Sequence, residues 1–178
     1  SKEVISEVAE ISDTVVQNEK YKLPNKVTAT MSNGTKKEVP VKWNTEKVDT
    51  SGRGEFTYTG TIKGYKGSVT LKLTVGTIVN FPDENFEQVI RETLNKPLGG
   101  IYDFEVEQIT QLNAENKNIA NIDGLEYLIN LENIDLKYNR IGDISKLSSL
   151  SELDFVNLQG NQISDVSAFA ELTSLWGT

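Results

Sequence analysis

The stretch "NRIGDISKL" at residues 139–147 returns as "NQISDVSAF" at residues 161–169, a step of 22 residues. A fixed period is the most restrictive feature a chain like this can carry, because it demands that one structural unit be built repeatedly and stacked. The period holds in every apolar column. Ile119, Ile141 and Ile163 form one; Ile122, Ile144 and Val166 a second; Leu125, Leu147 and Phe169 a third; Leu128, Leu150 and Leu172 a fourth. Ile109, Leu131, Leu153 and Leu175 form a fifth, Leu112, Ile134 and Val156 a sixth, and Ala114, Leu136 and Leu158 a seventh. Columns in phase without gaps mean that residues one period apart sit over one another.

Within a period the pattern is L-x-x-L-x-L-x-x-N, written "LENIDLKYN" at 131–139 and "LDFVNLQGN" at 153–161. Its L-x-L centre alternates with period two, the mark of a strand with one buried face. Equivalent strands of stacked units run parallel, so the rest of each period returns the chain to its start. There the apolar positions Ile141, Ile144, Leu147 and Leu150 step by three, which suits a tight 3₁₀ path better than a long helix. Each coil buries its leucines only against its neighbours. Asn139 and Asn161 stand where the chain leaves the strand, and an amide there can serve backbone donors and acceptors together.

The 22-residue length and the phrase N-x-I-x-D-I/V-S resemble the internalin-type leucine-rich repeats of Gram-positive bacterial surface proteins. The first repeat departs from the pattern, with Lys117 at the asparagine position between Asn116 and Asn118. Upstream, "FPDENFEQVIRETLNKP" at 81–97 places Phe86, Val89, Ile90 and Leu94 on one face of a helix expected over 84–95, with Asp83 as N-cap and Pro97 as stop. A second helical turn is expected near 105–108. This order resembles the N-terminal cap of internalin-like proteins; a free amphipathic segment for a partner or a membrane is the other reading.

Residues 1–76 read differently. "KVTATM" (26–31), "VPVKW" (39–43), "EFTYTGTI" (55–62) and "SVTLKLTV" (68–75) are β-branched and aromatic runs separated by the turn clusters "SNGT", "DTSGRG" and "KGYKG". Short strands at this spacing predict a small antiparallel β-sandwich with Trp43 as its main core aromatic. The order LP…V…SNG…V…W…G-x-Y/F-T…G resembles bacterial immunoglobulin-like domains. The expected fold class is therefore mixed: a β-sandwich at 1–76, a helical cap at 77–108, and a repeat solenoid at 109–178 comprising three 22-residue coils and the start of a fourth. Gly76–Thr77–Ile78 offers no Pro- or Ser-rich spacer, so restricted movement between modules is expected.

Composition narrows the chemistry. With no cysteine and no histidine, the chain has no disulfide, no Cys/His zinc site and no His-dependent triad or dyad. No run of about 18 apolar residues is present, so no membrane insertion is expected. Residues 1–76 carry 12 Lys/Arg against 9 Asp/Glu, and residues 77–178 carry 6 against 17, within a net charge of −8. The acidic half speaks against nucleic acid. Gly52-x-Gly54 and Gly64-x-x-Gly67 open no helix and hold no nucleotide. Carboxylates such as Asp143 and Asp165 belong to the repeat, and a three-coil solenoid offers no deep cleft to raise an acid's pKa. "NAENKN" at 113–118 could bring oxygen ligands to calcium but lacks a dense D-x-D-x-D loop. No catalytic residue, metal or cofactor is assigned.

What remains is exposed strand surface. The period makes three lateral rows: Gln111, Asn133 and Phe155; Asn113, Asp135 and Asn157; Glu115, Lys137 and Gln159. Neighbouring strands lie about 4.8 Å apart, close enough for Glu115 to pair with Lys137. Phe155, on a polar face and expected near Tyr138, has two readings: an anchor for a ligand, or a side chain that packs on its neighbours. Leu175 opens a fourth repeat that "SLWGT" breaks off, and Ser1 begins within a polar run, so a piece of a longer protein is expected. The resemblances imply a monomeric, non-catalytic adhesion or binding module at a bacterial cell surface or secreted from it. Its partner would be a protein or glycan of a host or neighbouring cell. Accessory domains of a large secreted glycan-active hydrolase, or a plain stalk, are the alternatives.

Overall fold

Alternation is the rule by which the N-terminal residues become strands. In the computed structural model, which describes residues 2–165 and 167, β1 is Ile5–Glu7, β2 Ile11–Val16, β3 Lys26–Met31, β4 Lys36–Pro40, β5 Lys42–Trp43, β6 Gly54–Thr61 and β7 Val69–Gly76. In β3, Val27, Ala29 and Met31 point inward between exposed or half-exposed polar residues, and in β7 Val69, Leu71, Leu73 and Val75 do the same. Two sheets result, ordered β1-β3-β4 and β2-β7-β6-β5. Val27 of one sheet and Val69 of the other share a core with Ile62. The chain divides into two compact units, Ser1–Thr77 and Ile78–Thr178.

Three features of this unit differ from the sequence expectation. "VPVKW" is two strands, because Pro40 ends β4 against Lys26 while Lys42 and Trp43 pair with β6 in the other sheet. β1 and β2 carry too little apolar alternation to be marked as strands. β2 moreover pairs with β7 in parallel, Ile11 opposite Leu71 through Val16 opposite Gly76, so the unit is not wholly antiparallel. The partners come from opposite ends of the unit, and no short hairpin dictates their direction. Trp43, expected as the main core aromatic, packs half-buried against both core clusters, whose fully buried side chains are aliphatic, and its Nε1 donates to the Pro24 carbonyl at 2.7 Å. Its ring lies across Gly60, the residue opposite it on β6. A Cβ there would come within 2.6 Å of Val41, 3.0 Å of Trp43 and 3.1 Å of Val69.

In the second unit the apolar columns become one core. Ile119 with Ile141, Ile122 with Ile144, Leu125 with Leu147 and Leu128 with Leu150 are all buried in a single cluster, and Ile163 packs against it half-buried. β8 (Gln111–Asn113), β9 (Asn133–Asp135) and β10 (Phe155–Asn157) form a parallel three-stranded sheet. Its register sets Leu112 beside Ile134 and Ile134 beside Val156, each step one period. Backbone bonds continue the pairing past the strands, from Ala114 N to Asp135 O at 2.8 Å and from Leu136 N to Asn157 O at 2.8 Å. Return paths run through 3₁₀ turns at Leu125–Tyr127 and Ser145–Leu147, as the three-residue spacing predicts. Val166, Phe169, Leu172 and Leu175 lie outside the described residues.

The end of this core is closed by α1 (Glu84–Leu94), which buries Phe86, Val89 and Ile90. Asn95, in the left-handed region at φ 52°, ends the helix two residues before Pro97. The second helical turn, α2, is Asp103–Val106, slightly earlier than expected, because the Glu105 carboxylate accepts the Tyr102 N–H in a capping box. Phe81 meets Phe86 edge to face at 5.6 Å.

Asp83 joins the cap to the first coil. Its Oδ1 accepts the N–H groups of Asn85 (2.9 Å) and Phe86 (3.2 Å) at the start of α1, and its Oδ2 accepts those of Ala120 (2.8 Å) and Asn121 (3.0 Å) in the coil. Burial pushes the carboxyl up, but the four N–H bonds outweigh it and hold it below its ordinary value of 3.8. A depressed folded pKa stabilises above the unfolded value and is lost as pH falls through the folded one. Asp83→Asn therefore costs about 2 kcal/mol at pH 7, because an NH₂ group faces two N–H donors. The gap from wild type narrows below about pH 4 in chemical denaturation of the second unit. For the first unit, Gly60→Ala costs about 1–3 kcal/mol by overpacking against Val41 and Trp43, read as a lowered thermal transition.

Candidate functional site

The parallel sheet β8–β9–β10 offers the most regular surface of the second unit, and an amide system sets its shape. Asn139, only 5% exposed, accepts at Oδ1 the N–H groups of Lys117 and Ile119, both at 3.0 Å. Its Nδ2 donates to the carbonyls of Ala114 (2.8 Å) and Leu136 (2.9 Å), with a longer bond to Lys137. Both atoms thus reach back one coil and lock the turn of the preceding unit. Asn161 repeats this, accepting from Ile141 N at 3.0 Å and donating to Leu136 O at 2.8 Å and Leu158 O at 3.0 Å. Lys117, the departure in the first coil, is tolerated because no coil precedes it. Asn85 of α1 donates there to Asn118 O at 3.0 Å, beside the Asp83 bonds.

The three exposed rows are in register, yet they are chemically unlike. In the middle row each side chain is spent on its own strand exit. Asn113 Oδ1 accepts Glu115 N (3.1 Å), Asp135 Oδ1 accepts Lys137 N (3.0 Å) and Asn157 Oδ1 accepts Gln159 N (3.1 Å). This Asx-turn column is structural, and the sequence signal for it is an Asn or Asp just before the second buried position of each L-x-L. In the third row Lys137 lies 3.6 Å from Glu115 and 3.4 Å from Asp135. Asp135 first and then Glu115 hold its ammonium above the usual lysine value. As an exposed pair these contacts contribute little to stability. Gln159 is exposed.

The first row keeps its chemistry free. Gln111 is exposed, Asn133 half-exposed and Phe155 52% exposed. Together with Thr93, Asn113 and Asp135 they line an open pocket of about 420 Å³. Thr93 comes from α1 and donates its hydroxyl to Val89 O at 2.7 Å. Nothing in the sequence period pointed to Thr93, because it belongs to the cap rather than to the repeat.

Tyr138 is not beside Phe155. It occupies the turn after β9, five positions beyond Asn133, or about 15 Å along an extended path, whereas Phe155 is level with Asn133 at the opposite end. Its φ of 59° matches Asn116 at 53° and Gly160 at 72° in the neighbouring coils, so the column requires the left-handed region. Gly160 meets that demand at no steric cost, and a Cβ on it would stand 2.5 Å from the Tyr138 ring. The 50% exposed tyrosine is thus a turn residue laid over the next coil's glycine. Among the described residues no cluster of acidic side chains is arranged to hold a metal ion, and no helix is long and apolar enough to cross a membrane.

Residues 8–65 match the family described as bacterial Ig-like domain (group 4), which places that resemblance within the first unit. Among solved structures the chain is similar to an internalin (inlF) from Listeria monocytogenes str. 4b F2365, at 40% identity and a TM-score of 0.52, covering 53% of this chain and 28% of that one. It is also similar to an internalin C2 (inlC2) from the same strain, at 31% identity and a TM-score of 0.51, covering 53% of this chain and 43% of that one. The chain thus spans less than half the length of either structure. It finds no match among curated proteins.

Asn139→Ala strips partners from two N–H groups and two carbonyls in a buried turn. The expected loss is about 3 kcal/mol in chemical denaturation, with faster hydrogen exchange at Lys117 and Ile119. The half-buried Asn161 costs less when replaced likewise.

Proposed function

We propose that this chain is a non-catalytic binding module of a bacterial surface protein. In this reading the second unit is an internalin-type leucine-rich repeat solenoid, its exposed parallel sheet the ligand face, and the Ig-like unit a spacer. Support comes from the 22-residue register of β8–β10, the amide column that ties coil to coil, the 40% identity to an internalin, and the Ig-like match at residues 8–65. Bacterial Ig-like and internalin-type modules are typical of extracellular or surface proteins. The ligand is a protein or glycan met outside the cell.

A single observation carries the choice of face. Phe155 stands half-exposed on the polar sheet beside Gln111 and Asn133, whose amides make no side-chain hydrogen bond among the described residues. A buried aromatic anchor is the usual source of binding energy at an interface, whereas a strand residue serving only the fold would turn its apolar atoms inward. The Asx-turn row and the Lys137 ion pairs hold these three positions in place from one side, and the buried leucines support them from below.

The test is a binding screen of the chain against extracellular proteins and glycans, followed by Phe155→Ala. The variant is expected to keep its thermal transition and to lose at least about tenfold in affinity, the effect of a modest hot spot. Unchanged affinity for every ligand found removes the sheet from the account.

A further inference from the structure

Resting on that reading, we propose that the pocket formed by Phe155, Gln111 and Asn133 takes an uncharged saccharide ring. The mixed character of its wall, apolar and polar side by side, is the starting point. A protein anchor is worth most in a dry, apolar surround from which water is excluded. Here the aromatic ring shares the pocket with Leu112 and Ile134 and is bordered by amides, a hydroxyl and a carboxylate: Gln111, Asn113, Asn133, Thr93 and Asp135. A sugar ring suits that mixture. Its C–H face is apolar and stacks on an aromatic plane, while its rim carries hydroxyls that both donate and accept. Gln111 and Asn133 each bring an NH₂ donor and a carbonyl acceptor, the combination that pairs with adjacent hydroxyls.

Charge decides between kinds of saccharide. Among the described residues, Asp135 is the one ionisable side chain lining this pocket. Its Oδ1 is bonded to Lys137 N and its Oδ2 lies 3.4 Å from Lys137 Nζ. That lysine is in turn shared with Glu115 at 3.6 Å. Among the described residues no cation lines the pocket to hold a carboxylate or sulfate, and the unit around it is acidic. An ionic sugar finds no partner here, so a neutral one is favoured. The volume of about 420 Å³ lies in the range of small-ligand sites.

The experiment is an array of neutral hexose and N-acetylhexosamine oligosaccharides beside their sialylated and sulfated counterparts, probed with the full chain and followed by calorimetry on the hits. Neutral glycans are expected to be retained, with affinity little changed between low and high salt. Phe155→Trp should keep binding, whereas Phe155→Leu, apolar but not flat, should lose at least about tenfold. Gln111→Ala should lose about fivefold, the share of one hydrogen bond. Tyr127→Ala, in a 3₁₀ turn away from the sheet, should change nothing. Retention of charged glycans alone, or of no glycan, overturns the saccharide assignment. If a protein ligand then depends on Phe155, the binding face stands without the sugar; if no ligand of any kind depends on it, both fall.

Discussion

The bond between the Asn139 side chain and the coil before it is the constraint on which the second unit turns. A stack of short parallel strands leaves the backbone of each turn without strand partners, and buried N–H and C=O groups are costly when unpaired. One amide offers a donor pair and an acceptor at a single point. At Asn139 it closes two N–H groups and two carbonyls of the neighbouring turns, and one coil on Asn161 closes one N–H group and two carbonyls. The leucine columns provide the hydrophobic contribution, but they would tolerate sliding. The amides set which turn lies against which.

The same demand explains the cap. At the first coil the chain has no preceding amide column to mirror, and Lys117 stands at the asparagine position. Asp83 and Asn85 approach from outside the repeat instead, the carboxylate serving two N–H groups of the coil and two of its own helix. A carboxylate is suited to this place because all four contacts are donors. That saturation also explains why its carboxyl stays below the ordinary value despite burial. The first unit solves a different problem by ordinary means, with aliphatic alternation in β3 and β7 and a tryptophan laid over Gly60.

The proposed binding function draws on what the fold leaves unspent. Of the three rows on the exposed sheet, one is consumed by Asx turns and one is committed to ion pairs around Lys137. The row of Gln111, Asn133 and Phe155 keeps two free amides and an uncovered ring. The proposed binding surface is therefore narrower than the full set of strand positions, and its chemistry is amide and aromatic rather than ionic.

The sequence by itself determined the repeat, its parallel strands, the buried columns, the 3₁₀ return path, the amide positions, the helix start at Asp83 and three of the long strand runs of the first unit. All of these follow from periodicity and local propensity, which are properties of neighbours along the chain. Tertiary structure alone decided the parallel pairing of β2 with β7, the split of 39–43 between two sheets, the separation of Tyr138 from Phe155, the second role of Asp83 and the presence of Thr93 at the pocket. The first two depend on which strands pair across the first unit, and the others on where side chains fall across the stack. These are relations between residues as far as 60 positions apart, which no local pattern encodes.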